Sequence, residues 1–183
     1  MTGVGASAPR GLTALCGQTH LCLLWMPGDI TRQWMQVQIN LARHDDLEPW
    51  LGLADEVVPL FGPMPDFNSV LIRKIAQQQA YCARTDDGNG GFVGGVMIGG
   101  GGSAYAIRWL AVHSSFQRLG VGKSLVNAAI ANIPAEASIH VDTFVTGSPG
   151  AGAARGLYES CGFLPHGIWA EGKVVRQRYL RLP

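Results

Sequence analysis

The stretch QRLGVGKS, residues 117–124, sets two glycines, a lysine and a serine within eight positions. Glycine lets an anion come close to backbone N–H groups, and lysine and serine add donors. Two nucleotide-binding motifs share these letters, and both fail. A Walker loop, GxxxxGK[ST], needs glycine at 117, where the chain has Gln117. The dinucleotide fingerprint GxGxxG, begun at Gly120, needs its third glycine where Leu125 stands. A more general device remains. A strand ends at Val112, a short link follows, and a helix opens with Gly120 and Gly122. Free N–H groups and the positive end of the helix dipole then face one place, which suits a pyrophosphate. A glycine-rich helix start with no ligand fits the same residues.

The elements around this loop follow from periodicity. VQINLAR (37–43) alternates as a half-buried strand does. Asp45 and Asp46 can cap a helix over 47–61, with Pro49 tolerated in its first turn. FGPMPD (61–66) ends it, and FNSVLIRKIAQQQ (67–79) is an amphipathic helix. AYCAR (80–84), FVGGVMIGG (92–100) and AYAIRWLAV (104–112) are three strands joined by glycine-rich turns, an antiparallel meander. Helix 121–133 stops at Pro134, and SIHVDTFV (138–145) is a strand. Helix 153–163 carries Gly162 as a left-handed cap, and KVVRQRYLRL (173–182) is the last strand. Hairpins and crossover helices together imply an α/β (α+β) fold, a mixed and mostly antiparallel sheet flanked by helices. Residues 1–34 show no clear period and read as a poorly ordered extension, with the domain at 35–183.

The 183 residues suit one domain, and 47% hydrophobic against 15% charged residues allow a packed core. The net charge of +1 gives no reason to expect nucleic acid as a partner. Cysteines 16, 22, 82 and 161 form no CxxC pair and no zinc spacing, so four reduced thiols and a cytoplasmic protein without metal are expected. LCLLWM (21–26) is too short for a membrane span, and an apolar stretch broken by Gln18, Thr19 and His20 makes a poor signal peptide.

LAVHSSFQRLGVGKSLV resembles the acyl-CoA-binding motif of the GNAT superfamily of acyl-CoA-dependent N-acyltransferases. Gln117, Gly120 and Gly122 match the family's [QR]xxGx[GA] loop. ARGLYESCGF (154–163) resembles a later family helix through Ala154, Tyr158, Gly162 and Phe163. The resemblance covers roughly 37–182, and the order of elements agrees with it. Ala151 stands where the family often has Asn, and the 104–112 strand offers Arg108 where many members carry a carboxylate.

The resemblance implies acetyl transfer from acetyl-CoA to a primary amine by direct attack in a ternary complex. The pyrophosphate would lie on Gln117, Arg118, Leu119, Gly120, Val121, Gly122 and Lys123. The pantetheine would pair beside Leu110, Ala111 and Val112, with a backbone N–H near Leu110 polarising the thioester carbonyl. Tyr158 would return a proton to the thiolate, or serve only as a core aromatic. His113, His140 and Asp142 are candidates for the base, beside a water-relayed one. His140 and Asp142 share one strand face. Arg73, Lys74 and Arg84 read as solvated surface charges. Phe61, Met64 and Phe67 line an acceptor pocket or belong to the core. The acceptor is an amine on a small molecule or a protein, with no membrane and a homodimer allowed. The alternative function is a regulatory CoA-binding module without turnover.

Overall fold

Val37 and Ile39 are buried between half-buried Gln36, Gln38 and Asn40, so this strand lays one face on the core. A computed structural model describes residues 20–24, 35–86, 90–171 and 174–183, the first of these segments by its backbone only. Among the described residues a single sheet has eight strands. They are β1 (His20–Leu24), β2 (Met35–Leu41), β3 (Ala80–Thr85), β4 (Phe92–Gly101), β5 (Ala104–Val112), β6 (Ser138–Phe144), β7 (Leu164–Glu171) and β8 (Val174–Arg181). Their spatial order is β1-β2-β3-β4-β5-β6-β8-β7. All neighbours run antiparallel except β5 and β6, which are parallel. A parallel pair needs a crossover, and helix α3 (Val121–Ala131) supplies it. The mixed, mostly antiparallel sheet with flanking helices is therefore as expected.

Helices α1 (Leu47–Phe61) and α2 (Phe67–Ala76) cover one face of the sheet. Their buried Trp50, Leu53, Phe67 and Leu71 pack with Met97, Trp109 and Ala111. Trp50 lies so close to β4 that a Cβ on Gly95 would come within 2.5 Å of its indole. That position therefore admits glycine alone without rearrangement. Helices α3 and α4 (Ala151–Ser160) cover the other face. There Val121, Leu125, Val126, Tyr158 and Phe163 pack on Val96, Ile107, Ile139 and Val141.

Three expectations change. Of residues 1–34, read as a poorly ordered extension, His20–Leu24 form a strand on β2; the others lie outside the described residues. β7 was not foreseen, because Pro165 and Gly167 in LPHGIWAE signal a loop. β7 lies at the sheet edge, where a proline need not donate to a ladder. Arg84 is no solvated charge. It pairs with both oxygens of buried Asp46, which also accepts from Arg43 N at 2.6 Å. Asp46 therefore spends its carboxylate on these bonds and makes no side-chain cap on α1.

Candidate active site

β5 and β6 pair only from Ala104↔Ser138 to Ile107↔Val141. β5 continues to Val112 and β6 to Phe144, so the two strands part and leave a cleft inside the sheet. A bulge assists the parting. Met97 faces Trp109 while Ile98 faces Ile107, which leaves Arg108 as the extra residue on β5. His113 N donates to Val93 O on β4 at 2.9 Å. Backbone groups alternate along a strand, so Trp109 and Ala111 also turn toward β4. Leu110 and Val112 then turn their N–H and C=O groups into the cleft. The Val112 carbonyl is met there by Gln117 Nε2 at 3.1 Å.

The Gly-rich loop closes one end of the cleft. A 3-10 turn over Ser114–Phe116 leads to Arg118 at φ 64° and Gly120 at φ 86°. A left-handed residue next to a right-handed one, as Gly120 is beside Val121, curls backbone N–H groups into an anion-binding nest. Gly120 is the N-cap of α3 and no side chain caps that end. The first-turn N–H groups of Val121, Gly122 and Lys123 thus point outward beside the exposed side chains of Arg118 and Lys123. Half-buried Leu119 anchors the loop on the α3–α4 core.

A clamp missed by sequence reasoning fixes the loop's start. Glu56 on α1 accepts from Ser114 N at 3.0 Å and lies 3.3 Å from His113 Nε2. The bonds from Ser114 hold the Glu56 carboxyl below the usual carboxylate range. His113 Nδ1 accepts from Ser115 N at 3.4 Å, which assigns the proton to Nε2, facing Glu56. Both ring nitrogens are therefore engaged, and His113 holds the loop.

Tyr158 on α4 is buried, with ring centroids 5.7 Å from Phe163 and 6.2 Å from Tyr179. Burial pushes its phenol pKa up. On β6, His140 and Asp142 do share a face, opposite buried Ile139 and Val141. Arg178 Nε and Nη2 grip Asp142 at 2.7 and 2.6 Å. Burial works to raise the Asp142 pKa, but the net shift is downward, with this guanidinium the foremost of the opposing causes. Burial first, then Arg178, lowers the His140 pKa. Phe61 and Phe67 stack around Trp109 at 6.1 and 5.1 Å, and Phe61 also meets Phe144 at 5.7 Å. They form an aromatic wall at the cleft's α1–α2 side.

Residues 76–165 match the family described as Acetyltransferase (GNAT) domain. Solved structures share the fold. The NatC complex bound to Gag peptide and CoA superposes with TM-score 0.67 at 20% identity, over 80% of this chain and 98% of that one. Ard1 from Thermoplasma volcanium gives 0.64 at 17%, over 80% and 97%. A GNAT-family acetyltransferase from Streptococcus agalactiae gives 0.63 at 14%, over 80% and 95%. No curated protein matches in sequence. By that match and by its fold, the chain resembles the GNAT acetyltransferases, a class that transfers acetyl groups from acyl-CoA.

Proposed function

We propose that the protein moves an acetyl group from acetyl-CoA to a primary amine by direct attack within a ternary complex. The observation that carries this reading is the cleft between β5 and β6, closed at one end by the nest from Arg118 to Lys123. The nest receives the pyrophosphate, and the cleft-facing backbone groups of Leu110 and the Val112 N–H receive the pantetheine as an added strand. The Leu110 N–H polarises the thioester carbonyl, and the cleft holds donor and amine in line. The amine attacks the carbonyl carbon and the C–S bond breaks. The thiolate takes a proton from Tyr158, which burial keeps protonated at neutral pH. Of the three candidate bases, His113 is engaged on both nitrogens and Asp142 is bound by Arg178. His140 is left to take the amine's proton, directly or through water.

The experiment is thiol release from acetyl-CoA on addition of primary amines, followed against pH. His140 has a lowered pKa, so it stays a neutral base at and somewhat below its usual 6.5. Activity should persist to below that pH before its acid limb falls, and His140→Gln should lower turnover by roughly 10²-fold. No thiol release with any amine, in protein that binds CoA, would leave the non-catalytic CoA-binding reading. Arg108 standing where a carboxylate is expected favours that alternative.

A further inference from the structure

The bulge in β5 turns two successive side chains, Arg108 and Trp109, to the α1–α2 face. There Arg108 meets α2. A Cβ on Gly99 would lie 3.0 Å from Lys74 Nζ and 3.2 Å from Arg108 Cγ. Lys74 Nζ donates to neutral Gln79 at 2.6 Å. Its pKa is lowered by burial, then by Arg108 and Arg73. Across the cleft, β6 and β8 continue the same face, with Asp142 opposite Arg178 and Phe144 opposite Arg176. Arg176 stands 5.9 Å above the Phe144 ring. Arg73, Lys74 and Arg108 thus neighbour one another on the β5 side of the cleft, and Arg176 and Arg178 stand on the same sheet face beyond it. Asp142 on that face is already held by Arg178. The chain as a whole has 14 basic and 13 acidic residues, so composition alone does not produce this concentration.

We propose that this surface selects an acceptor whose amine is followed by carboxylates, with Arg108 and Arg176 as their contacts; the proposal rests on the acetyl-transfer reading. Like charges held together repel, and an incoming anion relieves that repulsion. Guanidinium groups match carboxylates through two parallel hydrogen bonds, which a lysine cannot do. Arg108 stands where β5 and β6 part, two residues from the Leu110 N–H. A carboxylate bound on Arg108 therefore leaves a neighbouring amine at the cleft. The charge also attracts such acceptors from solution, an effect that salt screens.

The test is calorimetry on the full chain saturated with CoA. The probes are the amidated peptides Ala-Glu-Glu-Glu and Ala-Gln-Gln-Gln, and free glutamate. The acidic peptide should bind about tenfold more tightly than the neutral one at low salt, and the ratio should shrink as salt is added. Arg108→Gln and Arg176→Gln, both on accessible side chains, should each move the ratio toward one without loss of melting temperature. Equal binding of both peptides, or an unchanged ratio in Arg108→Gln, would overturn the proposal. Glutamate binding as well as the acidic peptide would support it and make the acceptor a small molecule; binding of the peptide alone would support it and make the acceptor a polypeptide N-terminus. Acidic preference without thiol release would sink the acetyl-transfer reading, and with it the acceptor role, and leave only a surface that binds acidic peptides. Acetylation without charge preference would sink this one alone.

Discussion

Tyr158 has two possible duties, and removing one oxygen separates them. Tyr158→Phe keeps the ring against Phe163 and Tyr179 and deletes the donor. If the hydroxyl protonates the leaving thiolate, turnover should fall by about 10²-fold while CoA affinity holds. If the residue only packs, melting should reveal a loss of at most ~1–2 kcal/mol and turnover should persist. Full turnover in the Phe variant would move the proton source to water. Tyr158 was picked out as a candidate from sequence because its helix carries a recognisable pattern. Glu56 was not: it is 58 positions from Ser114, and an acidic residue on an exposed helix face gives no local sign of a partner. Arg84 was misread for the same reason, since Asp46 is 38 residues away in the chain.

Among the elements, the α3 loop and α1 were legible almost to the residue. Glycine, proline and helical period act locally, and α1 spans the same 47–61 that its pattern gives. The parting of β5 from β6 was not legible. Register between parallel strands is set by the packing of the crossover, and no neighbouring residue records where pairing stops. The loop yields a sharp expectation. Gly120 holds φ 86°, where a β-branched side chain costs about 1–2 kcal/mol of backbone strain. Gly120→Val should therefore lower CoA affinity by about tenfold or more, because the nest can no longer form around the pyrophosphate. Calorimetry with CoA on the folded variant checks this, and unchanged affinity would remove the loop from the site.

At the scale of the molecule, both core clusters draw their described residues from Val37 onward. A variant beginning at Met35 should fold and bind CoA within about twofold of the full chain. Its melting temperature should drop by only a few degrees, through loss of the β1 ladder. An insoluble or CoA-blind variant would show that the first 34 residues are part of the domain.

The parted strands give this sheet two inner edges besides its outer ones. The outer edge at β7 is guarded by Pro165 and Gly167, which discourage another strand from adding. No proline protects β5 from Arg108 to Val112 or β6 from Asp142 to Phe144. Without CoA, those backbone groups are a template for any extended chain, including a partly unfolded copy of this protein. On the proposed reading, CoA in the cleft would act as a plug, making the liganded form the more resistant to aggregation.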